Sequence, residues 1–397
     1  MIYKLTETME LPNVRTLFVL VIVTGACIFG LLTVLHSTWT SDGSILPLEN
    51  GQLTRGKLRF PVTQEKGLPK LENARPSDET SAVLALHASA SPTENHTSPP
   101  SYIDMVKKGV SRVWVSNETR KSGVRRKLNS ILDAKELAVM TKRLTKIGQT
   151  IRFAITNKSR AMTEDIYTSL PEQSPFANET LQRCVVVGNG GILTNSRCGT
   201  NIDRADFVFR CNTPPLRGYA EDVGTKTNIT SINPSIIASK YKRLLNKGHK
   251  STFLNDVKRF GRLLVPLYGV PSGYAYIVPA LKLLQTSNKS TPKKMLIINP
   301  NHFRAVAGIW AEMGLKDRMT TGFYLTSLAL SVCGSVELFG FWPFPLDTIG
   351  NPVPYHYYGK DKLTKGVHDF NLEFALLYQL HTDGVLRMHV GSCVSNT

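Results

Sequence analysis

Short runs of apolar, often β-branched residues alternate along this chain with segments of helical periodicity. The apolar runs predict strands, and one of them, Cys184 to Val187, leads directly into the glycine-rich turn Gly188 to Gly191. Such alternation is typical of a mostly parallel, Rossmann-like sheet covered by helices on both faces. We predict strands at 184–187, 207–210, 228–232, 263–265, 295–298 and 336–341, and helices at 235–246, 253–260, 302–313, 324–333 and 371–381.

Two neighbouring predicted strands end in residues suited to binding a ligand. The first ends in the glycine turn, and the second ends at Cys211-Asn212. Glycines let main-chain N–H groups approach a phosphate or a ribose, and ligands bind at the strand ends of α/β sheets. The glycine spacing fails the dinucleotide fingerprint, because Leu193 stands where the third glycine belongs. From the residues alone, a tight connection without a ligand is an equal alternative.

The apolar pattern also predicts how the chain is organised. Leu17 to Leu35 is free of charge and long enough to cross a bilayer, and the early Lys4 and Arg15 place the N-terminus in the cytosol. A cleaved signal peptide is the competing interpretation. The polar stretch that follows has no sustained apolar periodicity and predicts a flexible stem. We therefore expect a type II membrane protein with a cytosolic tail at 1–16, an anchor at 17–35, a stem at 36–120 and a lumenal domain at 121–397.

Sequons and cysteines agree with a lumenal location. Six N-x-S/T sequons suit a protein of the secretory pathway. Five cysteines follow the anchor, and this odd number leaves one of them unpaired or paired between chains. The sequence alone does not assign the pairs. The sequons start at Asn95, Asn117, Asn157, Asn178, Asn228 and Asn288.

The net charge of the chain indicates which kind of molecule it binds. The chain carries a formal charge of +18, and residues 107–160 contain fifteen Lys or Arg against Glu118, Asp133 and Glu136. A lumenal domain does not meet nucleic acid, so we expect acidic glycans as partners rather than nucleic acid. Solvated helix faces are the plain alternative for any single basic residue.

Four sequence blocks carry a family resemblance. The stretch at 184–215 resembles the large sialyl motif of animal sialyltransferases. MTTGFYLTSLALSVCGSVELFGFWPF (319–344), PYHYYG (354–359) and HDFNLEF (368–374) resemble the small, third and very short motifs in the family's order. Arg210-Cys211-Asn212 and a late cysteine resemble the α2,8 branch. Gly190 stands where polysialylating relatives carry serine.

The resemblance implies a sialyltransferase of the Golgi membrane. The expected fold is a metal-independent variant of the nucleotide-sugar glycosyltransferase fold, consistent with the absence of D-x-D from the sequence. The implied donor is CMP-sialic acid, and no cofactor or metal is required. Expected acceptors are glycoprotein N-glycans or gangliosides that end in sialic acid. The sequence leaves open whether the protein forms a homodimer.

The resemblance also assigns the site residues. His368 is the implied general base of an inverting displacement, His356 the implied partner of the departing phosphate, and Glu373 an accompanying carboxylate. The implied disulfides are Cys184–Cys333 and Cys198–Cys393, which would leave Cys211 free. The implied donor-binding residues are Asn189, Gly190, Asn212, Thr320, Thr321, Gly322, Trp342, Tyr355 and His356.

Each assignment has a plainer alternative. Thr320 would also fit an ordinary helix cap, and Trp342 would fit the core. His356 would fit a structural role among aromatic rings, and His368 would fit a place on the surface. At the level of the whole protein, the alternatives are a membrane-anchored, non-catalytic binder of acidic glycans and a nucleotide-dependent oxidoreductase. The failed glycine fingerprint counts against the latter.

Overall fold

The computed structural model describes Val106, Gly109 and residues 112–287, 295–359 and 367–393. The predicted anchor at 17–35, nearly all of the predicted stem, and the sequons at Asn95 and Asn288 lie outside these residues. Within the described part, no helix combines the length and the apolar character needed to cross a membrane.

Strands and helices alternate along the described residues. The strands are β1 (Thr150–Arg152), β2 (Ser159–Ala161), β3 (Leu181–Val187), β4 (Phe207–Arg210), β5 (Ile229–Ser231), β6 (Arg262–Val265), β7 (Met295–Ile297), β8 (Cys333–Phe339) and β9 (Arg387–His389). The α-helices are α1 (Glu118–Asn129), α2 (Ala134–Leu137), α3 (Glu164–Ser169), α4 (Gly199–Asp203), α5 (Ala220–Val223), α6 (Pro234–Ser239), α7 (Lys247–Val257), α8 (Pro271–Ser287), α9 (Pro300–Glu312), α10 (Thr321–Val332) and α11 (Phe370–Thr382).

Seven strands form one parallel sheet in the order β7-β6-β5-β4-β3-β8-β9, while β1 and β2 form a separate antiparallel hairpin. The chain runs outward from β3 to β7 and then returns to the other side of β3 as β8. Strand order therefore reverses between β3 and β8, where Val187 pairs with Phe339. The carboxyl ends of two such strands diverge and leave a crevice that suits a ligand. The predicted class of fold, a mostly parallel sheet between helices, is confirmed.

Strand β3 shows why the sheet lies between two helical layers. Cys184 and Val186 pack into one buried cluster, and the alternate residues Val185 and Val187 pack into the other. A strand that is buried on both faces reads as a continuous apolar run. Helix α10 lies against this sheet with every residue from Phe323 to Val332 buried. Its threonine cap and its apolar surface thus fix a helix N-terminus at the crevice.

The six predicted strands are all present in the sheet, with ends shifted by up to three residues. The predicted helix at 235–246 is wrong in extent: α6 ends at Ser239, and Lys242, Arg243 and Leu244 have positive φ angles. The chain then restarts as α7, where the Asn246 side chain accepts a hydrogen bond from the His249 N–H at 2.9 Å. The predicted helix at 253–260 is shifted, because α7 begins at Lys247 and ends at Val257. Helices α1 to α5 and α8, and the short strands β1, β2 and β9, were not predicted.

The beginning of the described body packs against its end. The Trp114 indole N–H donates to the His381 carbonyl at 3.1 Å, and Arg120 forms an ion pair with Asp383. Arg125 donates to the carbonyls of Leu330, Cys333 and Gly334. Part of the basic segment at 107–160 is therefore engaged within the protein. Helix α1 begins at Glu118, just before the predicted start of the catalytic domain at 121.

Four of the six sequons lie among the described residues. Asn117, Asn157 and Asn178 are exposed, whereas Asn228 is half-buried and its Oδ1 accepts a hydrogen bond from the Val208 N–H at 2.9 Å. Glycosylation at these positions stays a prediction.

Candidate active site

The glycine turn after β3 lies directly against the turn after β8. The Gly190 N–H donates to the Gly340 carbonyl at 2.9 Å. A Cβ atom at Gly188 or Gly190 would lie 2.5 or 2.7 Å from that same carbonyl oxygen, closer than real Cβ atoms approach. Gly340 itself has φ +74°, which side chains disfavour. Glycines are therefore required for the two strand ends to meet.

A cavity of about 230 Å³ opens at this junction. The cavity is bordered by the strand ends, the N-terminus of α10 and the loop before α11, which are far apart in sequence. All of the predicted donor-binding residues and both predicted catalytic histidines line it, so the structure brings the whole predicted set together. The lining includes Asn189, Gly190, Asn212, Thr320, Thr321, Gly322, Trp342, Tyr355, His356 and His368.

Three asparagines provide polar groups on one side of this cavity. Asn189 donates to the Cys211 carbonyl at 3.0 Å, and its buried Oδ1 has no hydrogen-bond partner within the described residues. Asn212 has φ +62°, which asparagine tolerates better than most residues, and its Oδ1 accepts from the Asn233 N–H at 3.1 Å. The sequence analysis missed Asn233. Asn233 could have been identified from its position just after β5, the strand that neighbours β4 in the sheet.

The N-terminus of α10 closes another side of the cavity. The Thr320 hydroxyl accepts from the Phe323 N–H at 3.1 Å, as an N-cap does. Thr321 and Gly322 are the first two helical residues, and N–H groups at such positions have no acceptor within the helix. Together with the helix dipole, they favour an anion at this point.

Glu373 fixes the position of this helix end. Its carboxyl accepts the Thr320 N–H at 2.6 Å, and the Thr320 hydroxyl contacts its second oxygen. Glu373 is only 5% exposed, and burial raises its pKa to about 7, with the nearby Asp369 acting in the same direction. Glu373 also lines the cavity, so it both holds Thr320 in place and borders the space that a ligand would occupy.

His356 lies in a loop that the glycine turn holds. The Tyr357 N–H donates to the Asn189 carbonyl at 3.0 Å, and Gly190 pairs with His356 across an isolated β-bridge. The imidazole stacks on Tyr358 with ring centroids 5.2 Å apart and lies beside Tyr355. The aromatic packing expected of a structural histidine is thus present, and the ring lines the cavity as well.

His368 precedes α11, and its main-chain contact determines its tautomer. Its Nδ1 lies 2.5 Å from the Arg318 carbonyl oxygen. Because a carbonyl can only accept, Nδ1 carries the proton and Nε2 keeps a lone pair. Burial lowers the pKa of His368 below its ordinary value, and the Arg318 charge lowers it further. A lowered pKa favours the neutral imidazole, which is the form that can accept a proton.

Trp342 forms a wall of the cavity. Its side chain is buried, and its indole N–H donates to the Leu346 carbonyl at 2.8 Å. The ring meets Phe344 and Phe374 edge to face. Because its N–H is engaged within the protein, Trp342 offers a ligand an apolar surface rather than a hydrogen bond.

A second cavity of about 220 Å³ adjoins the first, and no sequence motif predicted it. Its lining comes from the loop of the β1–β2 hairpin and from residues at or after the ends of β5, β6 and β7. Both cavities share Asn233, Thr321 and His368. His368, whose Nε2 has no hydrogen bond among the described residues, is therefore one of three residues at which the two cavities meet.

Both implied disulfides are present. Cys184 bonds to Cys333 with a Cα–Cα distance of 6.1 Å, and Cys198 bonds to Cys393 with a Cα–Cα distance of 4.9 Å. Cys211 is free and buried, and burial raises the pKa of its thiol to about 12. Within the described ranges, no three His, Cys, Asp or Glu side chains are grouped so that they could hold a metal ion.

The comparisons with known proteins agree on one family. The chain matches the model of glycosyltransferase family 29 (sialyltransferase) over residues 131–385. An alpha-N-acetylneuraminide alpha-2,8-sialyltransferase of Xenopus tropicalis is 38% identical over 293 residues, which cover 70% of this chain and 81% of that protein. The human alpha-2,8-sialyltransferase 8F is 35% identical over 298 residues, 74% of each chain. A crystal structure of a mammalian sialyltransferase in complex with Gal-beta-1-3GalNAc-ortho-nitrophenol aligns at 20% identity, with a TM-score of 0.39, over 75% of this chain and 88% of that one. The family match and the two relatives show that this chain is a glycosyltransferase that belongs to family 29, the sialyltransferases.

Proposed function

We propose that this protein transfers sialic acid from CMP-sialic acid to the 8-hydroxyl of a terminal sialic acid on a glycoprotein N-glycan or a ganglioside. The observation that carries the proposal is the placement of His368, with a free Nε2, between two adjoining cavities. One cavity would hold the donor and the other the acceptor. The α2,8 linkage is supported by what the relatives described above are called.

The donor fits the first cavity. Its phosphate would lie at the N-terminus of α10, where Thr321 and Gly322 offer N–H groups and His356 is close by on the cavity wall. A departing nucleoside monophosphate carries less charge than a diphosphate. Hydrogen-bond donors held in place can stabilise it without a divalent ion.

The acceptor fits the second cavity, with its hydroxyl directed at His368. Nε2 takes the hydroxyl proton while the oxygen attacks the anomeric carbon of the donor sugar. The bond from that carbon to the phosphate oxygen breaks, and its electron pair leaves with CMP. A single displacement inverts the anomeric centre, so no covalent enzyme intermediate forms. In the cell we propose a Golgi location, with residues 17–35 as a type II anchor.

The test is a transfer assay with the purified full-length protein in detergent, CMP-sialic acid and acceptors that end in sialic acid or in galactose. We expect product mass and linkage-specific sialidase digestion to report an α2,8 bond on the sialylated acceptors only. Activity should survive excess EDTA. Transfer to galactose instead, or a full loss of activity on chelation that manganese restores, would contradict the proposal.

His368→Ala serves as the mechanistic arm of this assay. Loss of the base should reduce turnover by about 100-fold or more, while CMP still raises the melting temperature of the variant. His249→Ala is the matched control, because His249 lies on α7 and lines neither cavity. Wild-type turnover in folded His368→Ala protein would remove His368 from the mechanism.

A further inference from the structure

The described residues that line the second cavity carry a single permanent charge. Arg318 and His368 are the basic side chains among the described residues that line it, and no carboxylate lines it. Because the pKa of His368 is lowered, Arg318 supplies the positive charge at neutral pH. A cavity with one cation and no anion favours a ligand with one negative charge.

Arg318 has no side-chain partner among the described residues. Its guanidinium is exposed, and the described structure shows no hydrogen bond or ion pair to it. Other arginines of the body are engaged: Arg183 pairs with Glu337 at 2.5 Å, and Arg304 donates to the Phe153 carbonyl at 3.0 Å. An exposed arginine at the wall of a cavity is free to bind a ligand.

Its main chain brings this charge close to the reaction. The Arg318 carbonyl accepts the His368 Nδ1–H, and Thr320, two residues further on, caps the helix at the first cavity. The effect of Arg318 on the pKa of His368 indicates that the two charges lie within electrostatic reach of each other. A ligand held by Arg318 is therefore adjacent to the proton acceptor.

The rest of the lining suits a sugar. Asn233, Ser231 and Ser235 provide polar groups, while Pro266 and Phe303 provide apolar surface. A guanidinium presents N–H groups in a planar fork that matches both oxygens of a carboxylate. The lining thus combines a carboxylate-binding group with surfaces for hydroxyls and for an acetamido methyl group.

We propose that Arg318 binds the carboxylate of the acceptor's terminal sialic acid and so selects a charged acceptor over a neutral one. This proposal rests on the proposed function, because it assigns the acceptor to the second cavity. It adds to that function the residue that determines acceptor specificity.

The experiment compares Arg318→Gln with the wild type on two matched acceptors. One ends in sialic acid, and the other ends in the same sugar with its C1 carboxylate reduced to an alcohol. Loss of a hydrogen bond to a charged group should lower kcat/KM on the charged acceptor by about 10- to 100-fold, mainly through KM. On the reduced acceptor, the variant and the wild type should agree within about twofold, and Arg318→Lys should recover part of the activity.

Lys316→Gln is the control, because it removes one exposed charge from the same loop and lines neither cavity. It should behave as the wild type on both acceptors. Equal losses for Arg318→Gln on both acceptors, or no loss on either, would overturn the role of Arg318 while leaving the proposed function intact. Wild-type protein that transfers sialic acid to no sialylated acceptor would instead overturn the proposed function.

Discussion

Glu373 illustrates how one buried residue in the wall of a cavity positions the end of a helix. It accepts the Thr320 N–H at 2.6 Å, and Thr320 in turn caps α10 beside the cavity. A buried carboxyl prefers its neutral form, because burial penalises the charge. The two carboxyl oxygens accept from the Thr320 N–H and from the Thr320 hydroxyl. When the second oxygen is protonated, it can donate to the threonine hydroxyl instead, so the neutral form also satisfies both groups.

This makes stability depend on pH. The pKa of Glu373 is raised from 4.5 to about 7, so its contribution is fully present below the unfolded value of 4.5 and is lost as pH rises through about 7. Glu373→Gln keeps both hydrogen bonds and cannot ionise. We expect the free energy of unfolding of the wild type, relative to this variant, to fall by about 2–3 kcal/mol from pH 5 to pH 8.

Urea denaturation of both proteins at the two pH values measures this difference. The contributions of the other titrating groups to the pH dependence cancel in this comparison, because both proteins contain the same groups. An identical dependence on pH in the wild type and in Glu373→Gln would show that Glu373 does not carry the effect.

At this scale, the residues that the sequence motifs single out lie together in the structure. Both histidines and every predicted donor-binding residue reach one cavity. Asn233 and Arg318 were missed, because their roles come from neighbours that are distant in the chain. Asn233 meets Thr321 at 2.9 Å across 88 residues, and no local pattern encodes such a contact.

At the scale of elements, β3 and β8 share the longest pairing in the described sheet. They are hydrogen-bonded along their length, and Cys184–Cys333 also joins them covalently. Cys333 begins β8 just where α10 ends, so the bond connects the strand before the glycine turn to the helix whose N-terminus faces the cavity.

Removing this bond should destabilise the protein strongly. It closes a loop of 149 residues, for which chain-entropy models give about 4–5 kcal/mol. We expect Cys333→Ser and Cys184→Ser to cost similar amounts, and the double variant to cost about the same as either, because only one bond is lost. Cys211→Ala should cost about 1 kcal/mol, as a small buried group without a bond.

Denaturant titration and non-reducing peptide mapping check these values. Costs that add in the double variant would indicate that the two cysteines act through packing rather than through their bond. A peptide linking Cys211 to another cysteine would contradict the assignment of the pairs.

Helices and strands were predictable where one hydrophobic periodicity dominates the sequence. The buried strands are short apolar runs, and α10 is mostly apolar, so both were found. Helix α8 was missed because Gly273 and Pro279 lie inside it and normally argue against a helix. Packing explains one of them: a Cβ at Gly273 would lie 2.8 Å from Pro234, so a glycine lets α8 approach α6.

At the scale of the whole molecule, α1 and the residues before it fasten the start of the body to its end. Leu128 is buried in the core, and Arg125 donates to carbonyls at the junction of α10 and β8. Trp114 and Arg120 reach the end of α11. The family match begins only at residue 131, so the N-terminal partner in each of these contacts lies outside it.

A chain that begins at residue 131 should therefore be less stable than one that begins at residue 106. The loss of Leu128 burial and of the hydrogen bonds from Arg125 should cost about 3–5 kcal/mol. Denaturant unfolding of the two chains under the same conditions measures the difference. Equal stability would mean that α1 is an appendage of the fold and not part of it.

The junction of the two cavities at His368 has a consequence for product length. On the proposed assignment, each newly added sugar finishes the reaction in the space that the next donor needs. A second addition then requires the glycan to withdraw and re-enter one sugar unit further along, with its new end in the acceptor space. The number of residues added would thus be set by a competition between escape and re-entry after every turnover, rather than by the speed of bond formation.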